Sequence, residues 1–180
     1  MRLKGQKVRL RPVEKDDATR LMLWENDPRH WKVSGTEVPF SLHSILEYIE
    51  QAQHIRSHGQ LRLMICDVLT DEPVGTVDLY NADFKHSRAA VGVLIAEMEY
   101  RNRGYALEAL ELLEDYVRQI LGFHNLYCSI HGDNAASISL FEKAGYVKAG
   151  RRKDWFLENN EWIDELLYQK WLERKEISGL

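Results

Sequence analysis

The period of the apolar and polar positions changes several times along the chain, and each change marks an element. Lys7-Val8-Arg9-Leu10-Arg11-Pro12 alternates with a period of two and ends on proline, which predicts an opening strand. Between Asp16 and Asn26 the residues Ala18, Leu21, Met22, Leu23 and Trp24 suit a helix, and Asn26-Asp27-Pro28 stops it. Ser41 is placed to cap a second helix, with Ile45, Leu46, Tyr48, Ile49 and Ala52 on one side and Gly59 beyond its end. Leu61, Leu63 and Ile65 return to period two. After the turn Thr70-Asp71-Glu72-Pro73, strands are predicted over 74–80 and, as a nearly continuous apolar run, over 89–96. Gly104 opens a helix whose apolar side is Ala106, Leu107, Leu110, Leu113, Tyr116 and Val117, and Gly122 ends it. A strand over 126–130, a short helix over 134–144 stopped by Gly145, and a hairpin over 146–157 and 162–171 complete the chain. The order is β α α β β β α β α β β. This is an α/β (α+β) chain with a mixed central sheet flanked by helices.

Composition narrows the classes. The 180 residues are 44% hydrophobic and 29% charged, which fits one domain over residues 1–180 with a real core and excludes wholesale disorder. A net charge of −4 speaks against a basic nucleic-acid module and tolerates a cationic substrate. Cys66 and Cys128 sit in apolar, strand-like runs and read as buried free thiols. Met1-Arg2-Leu3-Lys4-Gly5-Gln6 has no apolar segment, and no window reaches the ~18 apolar residues of a membrane span. A cytoplasmic protein is the expectation. Among the histidines only His54 and His58 share i,i+4 spacing, without the glutamate of an H-E-x-x-H site, so no metal is expected.

One stretch carries chemistry. Val91-Gly92-Val93-Leu94-Ile95 leads through a short loop into Arg101-Asn102-Arg103-Gly104-Tyr105-Ala106 at the start of a helix. The first N–H groups of a helix lack internal acceptors and point outward with the positive end of its dipole, a nest suited to phosphate. Gly104 lets phosphate oxygens reach the backbone, Ala106 is nearly as small, and Arg101 and Arg103 add charge. Alone, Arg-x-x-Gly-x-Ala also fits a plain solvated turn. A further strand and then Asn134-Ala135-Ala136-Ser137-Ile138-Ser139-Leu140-Phe141-Glu142-Lys143-Ala144-Gly145-Tyr146 add weight to the phosphate reading.

These segments, in this order, resemble the GNAT superfamily of acetyl-CoA-dependent N-acetyltransferases. Arg101 to Ala106 is similar to the family's Q/R-x-x-G-x-G/A pyrophosphate loop, and Asn134 to Tyr146 to its Asn-led cofactor helix. Trp24-Glu25-Asn26-Asp27-Pro28, Pro39-Phe40 and Glu161-Trp162-Ile163-Asp164 resemble the ribosomal-protein and polyamine acetyltransferase branch. The resemblance spans essentially the whole chain. It implies the acyl-CoA N-acyltransferase fold, acetyl-CoA as donor, an amine as acceptor, no nucleic acid or membrane partner, and a homodimer. It also implies that backbone groups of Val93, Leu94 and Ile95 pair with the pantetheine arm and that Arg101, Asn102, Arg103, Gly104, Tyr105 and Ala106 hold the pyrophosphate. Asn134 then bonds the pantetheine region, with Ser137, Phe141 and Lys143 near the cofactor. Asn134 is equally a good helix cap, and Phe141 equally a core residue.

The place of the family's acidic tyrosine, seven residues beyond Asn134, is taken by Phe141, which cannot donate a proton. A thiolate of pKa near ~8.5 leaves tolerably without one. Asp78, between apolar neighbours in Gly75-Thr76-Val77-Asp78-Leu79-Tyr80, resembles a glutamate of polyamine acetyltransferases and is the candidate catalytic carboxylate. The alternative is a solvent-facing strand residue. Glu97 and Glu99 are expected to be exposed, and Trp24, Trp31 and Phe40 to shape the acceptor pocket. Two acceptor types stay open, a polyamine or other small amine and a protein N-terminus. The competing function is a CoA-binding regulatory module with lost or weak catalysis.

Overall fold

The computed structural model describes residues 3–173, so Met1 and Arg2 of the N-terminal hexapeptide lie outside the described residues. The strands are β1 (Val8–Pro12), β2 (Leu61–Asp67), β3 (Pro73–Asp83), β4 (Arg88–Ile95), β5 (Asn125–His131), β6 (Val147–Glu158) and β7 (Glu161–Trp171). They form one seven-stranded sheet in the order β1-β2-β3-β4-β5-β7-β6. Every neighbouring pair is antiparallel except β4 and β5. That parallel pairing covers only Arg88, Ala89 and Ala90 against Asn125, Leu126 and Tyr127. Beyond it β4 stays on β3 as far as Ile95, and β5 stays on β7 as far as His131. A gap therefore opens between β4 and β5, and the edge of β4 that faces it carries unpaired backbone groups.

Period-two patterning sorts the core onto two faces. Leu63, Ile65, Val77, Leu79 and Val91 meet Leu110 and Leu113 of α5 (Tyr105–Tyr116) and Phe141 of α6 (Ala135–Lys143) on one face. Met64 and Cys66 meet Leu21 and Trp24 of α1 (Ala18–Glu25) and Ile45 and Ile49 of α3 (Leu42–Gln51) on the other. Each such Leu or Ile, fully buried, stabilises the fold by about 1.5–3 kcal/mol before its entropy cost. Both cysteines are free and buried.

The segment between β1 and β2 holds four helices where the sequence pattern gives two. Asn26-Asp27-Pro28 ends α1 but also begins α2 (Pro28–Ser34): Asp27 accepts from Arg29 N at 2.9 Å, and Pro28 stands at the first position, where its missing N–H costs nothing. The fourth, α4 (Ile55–His58), is a single turn with too few apolar positions to show a period. Leu23 lies outside the buried stripe of α1 and is 63% exposed. Ser41 caps α3 by accepting from Ser44 N at 3.1 Å. The last turn of the α5 segment, Val117–Leu121, widens to π geometry before Gly122 ends it.

Candidate active site

The end of β4 is shaped by its neighbour. A Cβ on Gly75 would lie 2.0 Å from Leu94 O, so only glycine lets β3 approach there. Ala96 N and Glu97 N both donate to Val74 O, at 2.9 and 3.2 Å, a bulge that ends the strand. The chain then enters the loop before α5, where Gly104 takes φ 84°, a left-handed conformation that favours glycine. The first helical bond of α5 runs from Glu108 N to Gly104 O at 3.1 Å. The N–H groups of Tyr105, Ala106 and Leu107 have no acceptor among the described residues. They form the expected nest.

The side chains of that loop divide into struts and donors. Arg101 turns inward, donating from Nε to Ile95 O at 2.9 Å, with Nη2 2.9 Å from Nε2 of buried His30. Tyr105 OH donates to Asp67 at 2.5 Å, which holds the Tyr105 hydroxyl up at about 12 and Asp67 below the usual carboxylate range. Arg103 is exposed, with one bond to Glu99 O at 3.2 Å. Lys7 Nζ donates to Arg103 O at 2.7 Å and stands beside Gly104. Arg103 and Lys7 are thus the cations offered to an anion. Lys7 escapes sequence reading because it lies 97 residues before Gly104 in the chain.

Asn134 lies three residues past the end of β5, the other wall of the gap. Its Oδ1 caps α6 by accepting from Ser137 N at 3.1 Å, and its Nδ2 has no partner among the described residues. Both of its expected roles can hold together. Ser137 is half-buried on the first turn. Phe141 is buried, edge-on to Tyr146 with centroids 5.0 Å apart, so its ring belongs to the core. Lys143 is exposed at the far end of α6, about 13 Å along the axis from Asn134. Of the sequence-named set, Val93, Leu94, Ile95, the 101–106 loop and Asn134 come together around the gap. Phe141 and Lys143 do not face it.

On the opposite face of the sheet, Asp78 pairs across the ladders with Arg62 on β2 and Gly92 on β4. Arg62 donates from Nε to Asp78 Oδ1 and from Nη1 to Glu25 Oε1, both at 2.5 Å. Its guanidinium lies over the Tyr48 ring, 4.7 Å from the centroid, and Gln60 fixes the Tyr48 hydroxyl at 2.7 Å. The side chains of Asp78, Arg62 and Glu25 are only 13%, 15% and 16% exposed, so the solvated-strand alternative for Asp78 does not hold. Desolvation pushes the Asp78 carboxyl up, outweighing the pull of Arg62. For Arg62, burial works against the charge, but Asp78, Tyr48 and Glu25 raise its pKa overall. Two carboxylates around one guanidinium leave one negative charge; Arg62 takes Oδ1 of Asp78, and the Tyr48 hydroxyl is the carboxyl's other polar neighbour. A Cβ added at Gly92 would touch only the Tyr80 ring, at 3.7 Å, so open space lies beside Asp78 toward the gap.

The aromatic residues of the first helices behave differently from one another. Trp24 is buried and donates from Nε1 to Glu97 at 2.9 Å, so Glu97 is half-buried rather than exposed, while Glu99 is exposed. Trp31 donates to Glu25 O at 3.0 Å and so braces the acidic cluster. Phe40 is exposed, its backbone tied to the Asn26 side chain at 2.7 and 2.9 Å. Arg62, Glu25 and Tyr48 were not singled out from sequence, because only strand register and helix packing bring them to Asp78. Among the described residues no three His, Cys, Asp or Glu side chains gather as a metal set, and no helix is long and apolar enough to cross a membrane.

The model of the acetyltransferase (GNAT) domain family matches residues 7–147. The chain belongs to this family. It is 25% identical over 175 residues to the Uncharacterized N-acetyltransferase p20 of Bacillus licheniformis, covering 97% of both proteins. To the Probable N-acetyltransferase YjcK of Bacillus subtilis it is 22% identical, over 90% of this chain and 92% of that one. A solved spermidine N-acetyltransferase from Vibrio cholerae, in complex with CoA and spermine, superposes with a TM-score of 0.84 at 21% identity, over 94% of this chain and 98% of that one. The fold is the GNAT fold, and the reaction is acetyl transfer from acetyl-CoA to an amine. The open edge of β4 and the amide nest at Gly104, with Lys7 Nζ beside it, fit an extended thioester carrying a pyrophosphate.

Proposed function

We propose that this GNAT enzyme, acting as one domain over residues 1–180, acetylates a polyamine or another small cationic amine. The observation that carries this reading is the shielded Glu25–Arg62–Asp78 cluster, with its excess negative charge and the open space at Gly92 beside it. Val93, Leu94 and Ile95 pair the pantetheine arm as an added strand. The loop from Arg101 to Ala106 holds the pyrophosphate, by its amides and by Arg103 and Lys7, while Arg101 and Tyr105 keep it in shape. Asn134 bonds the pantetheine through its free amide, beside Ser137. Phe141 contributes by packing α6, and Lys143 stands outside the site.

Acetyl-CoA supplies an acyl group activated as a thioester. An amine of pKa ~10.4 arrives as ammonium, and Asp78 Oδ2 is placed to hold it and take its first proton, directly or through a water. A carboxyl raised by desolvation is a better base near neutrality than an ordinary one. The likeness to a solved spermidine N-acetyltransferase supports the acceptor class. Two further parts belong to the same reading. One is a cytoplasmic setting, in keeping with two free cysteines. The other is a homodimer, in which a second copy covers exposed Trp155, Leu157 and Trp162 on the edge hairpin.

Thiol release from acetyl-CoA with a panel of spermidine, a short diamine, a neutral hydrazide and an alanine-terminated peptide tests the acceptor class. Spermidine and the diamine are expected to lead, with kcat/KM falling as salt screens the cluster. A lead by the peptide refutes the acceptor class. Acetyl-CoA binding without turnover of any amine favours the regulatory module.

A further inference from the structure

One titratable side chain beside the gap has no place in the machinery described above. His131 ends β5, and alternation sets it with Tyr127 and Ser129 on the face away from the core residues Leu126, Cys128 and Ile130. Tyr127 pairs with Ala90. Four residues beyond that last pair, where the two strands have parted, His131 stands on the β5 side of the gap and on the face that holds Asp78. The ring is stacked on Phe156 with centroids 3.6 Å apart and 12° between planes, which fixes its orientation. Nδ1 is shut off from solvent with no aligned hydrogen bond, 3.3 Å from Glu158 Oε1.

The charged surroundings come from every neighbouring element. Lys32 of α2 reaches Glu158 at 2.5 Å and Asp133 at 2.6 Å. Glu165 of β7 stands across the ladder from His131 and pairs with Arg152. Asp164 takes the Gly132 N–H on its backbone carbonyl at 2.8 Å and pairs with Arg151 through its side chain. Nε2 has no partner among the described residues. A carboxylate 3.3 Å from Nδ1 favours the proton on that nitrogen and leaves Nε2 as the basic one.

We propose that His131 Nε2 takes the proton from the amine nitrogen after attack and passes it to the departing sulfur. The proposal rests on acetyl transfer to an amine, whichever amine that is. A cationic acceptor sheds two protons on becoming an amide. The first leaves before attack, to Asp78 in the reading above. The second leaves the nitrogen of the tetrahedral intermediate. There nitrogen and sulfur are bonded to one carbon, so a single imidazole reaches both. With the C–N bond made, the C–S bond breaks, its electron pair stays on sulfur, and the imidazolium protonates the thiolate. Amide, CoA thiol and neutral His131 remain. This supplies the acid that Phe141 lacks.

The test uses the full chain and whichever of spermidine, a diamine or an alanine-terminated peptide the native enzyme acetylates fastest. His131→Gln should lower kcat by about 10²-fold. KM for acetyl-CoA should stay within about twofold. Added imidazole should restore part of the rate to His131→Gln. Glu158→Gln keeps the ring but not its carboxylate, so kcat should drop about tenfold with KM for acetyl-CoA within about twofold. Native kcat in a folded His131→Gln overturns the proposal. Should His131→Gln fail to fold, Glu158→Gln decides, and a native kcat there overturns it.

Discussion

Asp78→Asn keeps the shape of the side chain and removes its charge and basicity. In the native cluster two carboxylates surround one guanidinium, so the variant takes the local charge from −1 to zero. An ammonium about 4 Å from a carboxylate gains about 4 kcal/mol at an effective dielectric constant near 20. Glu25 remains but is held by Arg62, so more than half of that attraction should go. The expected loss in kcat/KM for a cationic amine is ~10²-fold, or about 2.7 kcal/mol in the transition state. A hydrazide, neutral at the assay pH, has no ammonium to hold and should lose less than tenfold. Raising the pH should partly rescue the polyamine rate, because more amine arrives deprotonated. Calorimetry should show acetyl-CoA affinity within about twofold of native, since the nest lies on another strand and helix. Equal losses for the charged and neutral acceptors would refute the reasoning and leave Asp78 as an anchor for Arg62.

Gly104→Val should cut acetyl-CoA affinity at least tenfold by crowding the nest, and its positive φ should also lower the melting temperature. Arg103→Glu strains nothing, so calorimetry should show weaker binding with unchanged melting. Phe141→Leu should cost about 1–2 kcal/mol in denaturant unfolding, through lost packing on Tyr146, with kcat near native; a collapse of kcat in a folded variant would contradict it. The folded pKa of Asp67 is depressed, so its contribution is present above the unfolded value near ~3.9 and lost as pH falls through the folded one. Melting from pH 6 to pH 3 should show that fall, and Asp67→Asn should flatten it.

The order of the main elements was legible because caps and periods agreed: Ser41 before α3, Gly104 before α5, Gly122 and Gly145 after helices. The pyrophosphate loop was legible for the same reason, being a helix start. The parting of β4 and β5 was not, because an almost continuous apolar run looks the same whether its far edge is paired or open. Arg62 and Asp78 face each other only through the β2–β3 register, and Glu25 joins them only through packing of α1. Asp27 and Pro28 were read as a stop, although the same pair starts α2. The sequence pattern fits Phe141 to either cofactor or core, and its contact with Tyr146 places it in the core.

Amide hydrogen exchange, with and without CoA, bears most directly on the gap as the place where the thioester meets the amine. Exchange should slow at Val93 and Ile95, whose amides alternate onto the open edge of β4, and at the first amides of α5, with the β6–β7 hairpin unchanged. Saturating CoA that leaves β4 unprotected, or protects only a distant surface, would contradict the site.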